Sequence, residues 1–386
     1  RLFTNWGQQP FKYTPPSNHL PLCTQNLSNT IDDPSTGFDI LTYTGDGGTK
    51  VVDGLGFDSD LVWTKQREPS QSLAITGHSL HDTLRGKDGT YYKELSTNTS
   101  NSENVLNNAL YGGLSAISST GFTVVAGSDS SYQTYNGNNC PYVAWCWDAG
   151  TTTDTNNTNG NLTPSGVRAN QATGFSIITY TGNQQSGATV GHGLNKAPAF
   201  WMMKSSSHSG MWVVRHKDVA NTHYLQLDDP AQARNAVSDV TGDADSTTTV
   251  IPIGAADANN NSRIHVAYCW APIEGFSDFG VFTGATANSV YPFVYTGFQP
   301  ALLMIKRTDS SGAWKVLDTT RSTFNVANDN IDWNTSGEEN DNSENDVDIL
   351  SNGFKLRTTH GARNASGGTY IYAAWAETPL KTSRAR

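Results

Sequence analysis

Short apolar runs rich in Val, Ile, Tyr and Trp alternate along the chain with clusters of Gly, Asn, Thr and Ser, which is the pattern of strands and turns. Apolar positions spaced for a helix face are nearly absent. The runs recur as a series. Thr42-Tyr43-Thr44-Gly45, Thr179-Tyr180-Thr181-Gly182 and Val281-Phe282-Thr283-Gly284 each open a segment. Each is followed by an apolar strand ending in lysine: Leu61 to Lys65, Phe200 to Lys204 and Leu302 to Lys306. A third strand follows in Trp212-Val213-Val214 and Trp314-Lys315-Val316, with Leu73-Ala74-Ile75 as the weaker counterpart. Each segment closes on a tryptophan, in Tyr142 to Trp147, His265 to Trp270 and Tyr370 to Trp375. Four landmarks in one order, three times over, indicate a triplicated module. In the last strand Tyr370, Tyr372 and Ala374 face one way and Ile371, Ala373 and Trp375 the other. Both faces are apolar, as in a central strand.

These patterns predict an all-β protein of tandem β-sandwich, jelly-roll-like domains in three related repeats. Each repeat is long enough to hold its own core, since domains of about 100 residues are ordinary, so the expectation is beads on a string. The boundaries fall at 37–150, 174–273 and 274–386, the last including a C-terminal tail. Residues 151–173, dominated by Thr, Asn and Gly, read as a polar linker or exposed loop with too little apolar surface to offset ordering. Gly121-Phe122 and Gly353-Phe354 mark a turn shared by repeats one and three, with Thr249-Val250 in its place in repeat two.

A net charge of −10 argues against nucleic acid or an anionic membrane as partner, and no apolar stretch approaches the roughly 20 residues of a membrane-spanning helix. Four cysteines are too few for a disulfide-built fold. Cys146 and Cys269 hold the place of Ala374 and read as small buried residues, whereas Cys23 and Cys140 stand alone.

Catalytic chemistry is sparse. Carboxylates concentrate between Asp329 and Asp348, with Glu338, Glu339, Asp346 and Asp348 among them, in an asparagine-rich loop that reads as a solvated loop or weak calcium site. The triad Asp239, Asp243 and Asp245 is a weaker cluster of the same kind. His78 and His81 have metal-site spacing but no accompanying glutamate, and Gly77 to His81 lacks the second glycine of a nucleophile elbow. Gly45 to Gly48 reads as a turn, not a phosphate cradle. No catalytic, metal or cofactor residue is assigned. Trp147, Trp270 and Trp375 read as core, while Trp333, Tyr132 and Tyr135, placed in loops, are candidates for a contact surface.

Asn5-Trp6-Gly7-Gln8-Gln9-Pro10-Phe11 resembles the closing strand of a SPRY domain, which implies that residues 1–36 are the end of such a domain and a linker. The stretches Gly174 to Gly182, His192-Gly193-Leu194, Tyr295 to Ala301, Met304 to Arg307, Leu350 to Arg357 and Gly367 to Glu377 resemble a module of uncharacterised function found in tail-fibre-like proteins of tailed bacteriophages, many of them marine. Repeat one departs from it at Asp58-Ser59-Asp60, where the others carry Ala197-Pro198-Ala199 and Gln299-Pro300-Ala301. The resemblance implies a non-enzymatic virion structural or adhesion protein, a tail fibre or similar appendage that meets other virion proteins and a host-surface glycan or protein receptor. Because a slender chain of beads bends easily and three parallel copies bury symmetric faces, a homotrimer is expected. The alternatives are a capsid-bound decoration protein and a polysaccharide depolymerase acting through Asp346 and Asp348.

Overall fold

The computed structural model describes residues 31, 33–69, 74–104, 106–235, 240–285 and 291–376. Asn5 to Phe11, Cys23, Leu73 and Asp239 lie outside these. The first segment holds β1 (Phe38–Thr44), β2 (Thr49–Asp53), β3 (Leu61–Gln66), β4 (His78–Asp82), β5 (Lys87–Asp88), β6 (Tyr91–Tyr92), β7 (Gly113–Ser118), β8 (Gly121–Val125) and β9 (Pro141–Trp147). The second holds β10 (Thr153–Asp154), β11 (Gly166–Asn170), β12 (Phe175–Thr181), β13 (Thr189–Gly191), β14 (Phe200–Ser205), β15 (Val213–His216), β16 (His223–Gln226), β17 (Arg234–Asn235), β18 (Val250–Pro252) and β19 (Ile264–Trp270). The third holds β20 (Ser277–Thr283), β21 (Phe293–Tyr295), β22 (Pro300–Arg307), β23 (Lys315–Asp318), β24 (Ile331–Asp332), β25 (Val347–Leu350), β26 (Gly353–Leu356) and β27 (Thr369–Ala376).

The fold is all-β, and three sheets share one strand order: β1-β9-β3-β4, β12-β19-β14-β15 and β20-β27-β22-β23. Their registers also correspond, since Trp147 pairs with Phe38 and Leu61, Trp270 with Phe175 and Phe200, and Trp375 with Ser277 and Leu302. Each sheet is covered on one face by a small antiparallel sheet: β2-β8-β7, β13-β18 and β21-β26-β25. The alternation of the closing strands decides which side chains go where. Tyr142, Ala144 and Cys146 join the core under the first small sheet, Ala267 and Cys269 that under the second, and Tyr370, Tyr372 and Ala374 that under the third.

The opposite faces meet one another. Val143, Trp145, Trp147, Val266, Tyr268, Trp270, Ile371, Ala373 and Trp375 belong to a single core drawn from all three segments. Here the expectation of beads fails. The small sheets have only two or three strands and cover one face each, so the other face of every large sheet would be left wet. Packing the three together removes all of them from water. At the centre Trp147, Trp270 and Trp375 stand edge to face, with ring centroids 5.5 to 6.0 Å apart and planes crossed at 69 to 72°, the arrangement aromatic quadrupoles favour.

The 151–173 run is a linker only in part, because β11 pairs along β12 and β10 pairs with β11, extending the second large sheet at its edge. Asp60 explains the attachment. Its buried carboxylate accepts from Ala149 N at 2.9 Å, pairs with Arg168 of β11 at 2.9 Å and takes the Thr83 hydroxyl. The Asp58-Ser59-Asp60 departure in repeat one thus ends in an internal anchor for this extension.

Candidate functional site

The polar residues singled out in the sequence are mostly spent on joining the three segments. Lys65, Lys204 and Lys306 are buried at equivalent strand ends, and their ammonium groups bind backbone carbonyls. Lys306 Nζ reaches Pro230 O, Ala231 O, Arg307 O and Gly312 O at 2.8 to 3.0 Å, and Lys204 Nζ reaches Ser100 O at 3.1 Å. Burial pulls the Lys204 and Lys306 pKa values down to about 8 and that of Lys65 to about 7. The carbonyl partners accept from the ammonium form and favour it. Three of these contacts cross a boundary, since Ser100 belongs to segment one and Pro230 and Ala231 to segment two.

Beside each lysine an arm arrives from another segment: from one to two, from two to three and from three back to one. Glu103 N bonds Ser206 O at 2.8 Å, Ala233 N bonds Thr308 O at 2.9 Å and Glu339 N bonds Arg67 O at 2.7 Å. A ring N–H answers in each case. Trp212 Nε1 donates to Ser96 O at 2.9 Å and Trp314 Nε1 to Gln226 O at 2.8 Å. His78 holds the equivalent place in segment one, with Nε2 3.0 Å from Asp332 O. Its Nδ1 accepts from Trp63 Nε1 at 3.0 Å, so the neutral Nε2–H tautomer satisfies both nitrogens. Burial holds its pKa well below the usual histidine range. His78 and His81 do not converge on a metal: they face opposite sides of β4, His78 against Trp63 and Trp145, His81 against Tyr135. Gly77 to His81 leads straight into that strand and makes no elbow.

The acidic loop is such an arm. Glu339 pairs with Arg67 at 2.5 Å and Arg321 at 2.8 Å, and Asp348 pairs with Arg357 at 2.8 Å. Among the described residues no three His, Cys, Asp or Glu side chains are grouped to hold a metal ion. Cys140, Cys146 and Cys269 are buried free thiols, and burial pushes the last two well above the ordinary thiol pKa.

Two of the three loop aromatics proposed as contact surface are internal. Trp333 is 1% exposed and stacks on Trp63 at 4.3 Å, and Tyr135 is fully buried. The loop carrying Trp333 docks on segment one, so a loop position in sequence is not a surface position here. Tyr132 is the exception. It is part-buried, packs edge-on against Tyr111 at 5.3 Å and lines a cavity of about 260 Å³.

That cavity is lined by residues of β4, by residues 94–106 and by Ser336 of segment three. Its lining includes Ser79, Glu94, Thr99 and Thr134, and Ser79 Oγ is buried without a hydrogen-bond partner. Glu94 Oε1, Thr99 Oγ1 and Thr134 Oγ1 are buried and have no hydrogen-bond partner. Burial pushes the Glu94 carboxyl up to about 7, with Arg85 pulling the other way. Asn98 Oδ1 is occupied by His78 N at 2.8 Å and Ser96 Oγ at 2.9 Å, which leaves its amide NH₂ as a donor. Nothing in the sequence marked Glu94, whose neighbours along the chain are unremarkable. A second cavity, of about 400 Å³, is lined by Pro198, Trp201, Arg215 and Pro272. Its Arg215 is already held by Asn221 O at 2.7 Å and Thr241 Oγ1 at 2.8 Å.

No helix among the described residues is long and apolar enough to cross a membrane. No curated protein matches the chain. One protein family does, the Domain of unknown function (DUF7483), over residues 33–379. That match spans all three sheets and their shared core, and the chain belongs to this family.

Proposed function

We propose that the protein is a non-enzymatic structural and adhesive component of a bacteriophage virion, a tail fibre or similar appendage that presents a surface to a host receptor. The resemblance of its sequence stretches to tail-fibre-like proteins motivates the reading. The observation that carries it is the use of titratable groups. Lys204, Lys306, His78 and Glu339 are engaged in joining one segment to the next, as suits a part whose task is rigidity. A depolymerase acting through Asp346 and Asp348 would need both as a free acid and base, and Asp348 is tied to Arg357 instead. Trimerisation would have to use outer surfaces or the region before the first sheet, because the inner faces of the three large sheets are already buried against one another.

Mass spectrometry of purified virions, with antibody labelling in the electron microscope, tests the reading. The chain is expected in stoichiometric amounts at the tail. Its absence from particles removes the proposal, and label on the head replaces it with a decoration protein.

A further inference from the structure

We propose that the cavity between Glu94 and Tyr132 binds one sugar unit of an uncharged glycan. The inference rests on the adhesive reading above and assigns it a site. Leaving a buried polar atom without a partner costs about 1–3 kcal/mol, and four such oxygens, on Ser79, Glu94, Thr99 and Thr134, belong to residues that line this one cavity. Unpartnered buried atoms occur elsewhere too, on Trp147, Trp270 and Trp375 Nε1 among others, but these oxygens gather around one cavity. A single partner from outside the chain would satisfy them together.

The lining selects the class of partner. Among the described residues no lysine or arginine borders the cavity, which disfavours an anion, and Glu94 is the only carboxylate there, too few for a divalent cation. The polar atoms are hydroxyls, an amide NH₂ and a carboxyl whose pKa leaves it able to accept or to donate near neutrality. A polyol, which both donates and accepts at every hydroxyl, matches that set. Tyr132 supplies an aromatic wall for the apolar face of a sugar ring. The cavity has a volume of about 260 Å³. That is room for a single ring and not for an extended oligosaccharide.

Saturation-transfer NMR on the whole chain tests the assignment with methyl α-glucoside, methyl α-galactoside and N-acetylglucosamine, and with N-acetylneuraminic acid as the anionic control. At least one neutral sugar should receive magnetisation and the anionic one should not. Tyr132→Ala and Glu94→Ala should each weaken binding about tenfold or more, and Gln185→Ala, on the exposed surface of segment two, should not. Tyr132 is only part-buried, so its variant should keep the wild-type melting profile if Glu94→Ala does not. Ordered water alone in the cavity predicts no transfer to any neutral sugar, and that result overturns the inference. So does undiminished binding in folded Tyr132→Ala. Host-cell pelldown separates the two readings: wild type and Tyr132→Ala adsorbing equally removes this site while adhesion stands, and wild type failing to adsorb removes adhesion itself.

Discussion

The Tyr268 hydroxyl donates to Asp82 Oδ2 at 2.7 Å, joining the second sheet to the first inside the core. The same strand position recurs around the molecule. Asp318 accepts from Trp145 Nε1 at 3.0 Å, joining the third sheet to the first, and His216 Nε2 lies 3.2 Å from Tyr372 O, joining the second to the third. Leu61, Phe200 and Leu302 pair respectively with Asp82, His216 and Asp318, which establishes the equivalence. Where the neighbouring closing strand offers Tyr268 or Trp145, the partner is an aspartate. Where it offers Ala373, with no side-chain donor, a histidine addresses the backbone next to it.

Asp82 also holds the buried Arg85, through Arg85 Nε at 2.5 Å and Arg85 N at 2.7 Å. Asp82→Ala should therefore cost about 3–5 kcal/mol, because it leaves a buried guanidinium with only Glu103, at 3.3 Å, as carboxylate partner. Tyr268→Phe removes one donor and keeps the ring, and should cost about 1–3 kcal/mol. Urea denaturation of both variants measures the order, and a larger loss for Tyr268→Phe would contradict it.

Trp375 lies 5.5 Å from Trp147 and 6.0 Å from Trp270, each from another segment. Trp375→Ala should cost about 3–5 kcal/mol and lower the stability of the whole chain in a single transition. A fragment of residues 174–386 would lose Trp147 and expose the central faces of two sheets. It should bind a hydrophobic dye and aggregate. Separate transitions for the segments, or a well-behaved monomeric fragment, would show that each segment keeps its own core.

The strands and their closing tryptophans are legible in the sequence because short β-branched and aromatic runs punctuated by glycine have few alternatives. The inward and outward assignment of Tyr370 to Trp375 follows from alternation alone and is what the structure shows. The shared core is not legible. A strand apolar on both faces reads the same whether its second face meets a sister sheet of its own domain or the sheets of two others. Trp333 misleads for the related reason that its loop is polar in composition yet docks on another segment. Glu94 carries no local signal, since its isolation arises only from what folds over it.

Gly121 and Gly187 separate two uses of glycine. A Cβ on Gly121 would overlap the carbonyl oxygen of Val52 on the paired strand, whereas one on Gly187 meets nothing within 4 Å. Gly121→Ala should force β2 and β8 apart and cost roughly 3 kcal/mol or more. Gly187, at φ +68°, should lose only about 1–2 kcal/mol to left-handed backbone strain. Thermal melting of the two variants checks this, and equal shifts would place the β2–β8 contact elsewhere.

Acid should unfold the protein through histidines locked as neutral rings. His192 Nδ1 accepts from Leu194 N at 3.1 Å while Nε2 donates to Thr247 O at 3.1 Å. His216 accepts from Asp218 N at 3.2 Å and donates to Tyr372 O. A second proton on either ring would face an N–H already pointing at Nδ1. Burial lowers both pKa values to about 4, against about 6.5 in an unfolded chain. Between these values the unfolded chain binds more protons, so stability falls as pH drops from about 6.5 to about 4, by up to roughly 3 kcal/mol per ring. Two carboxyls oppose this. Asp60 and Glu94 are raised by burial to about 6 and about 7, so the native state keeps protons the unfolded chain has lost, and their contribution to stability fades as pH rises through those values. Urea midpoints at pH 7.5, 6 and 5 should decline on acidification for the wild type. His192→Asn, whatever its stability at pH 7.5, should decline less steeply below pH 6.5. Parallel declines in the two proteins would mean that His192 is already charged in the folded state or that its ring does not titrate on unfolding.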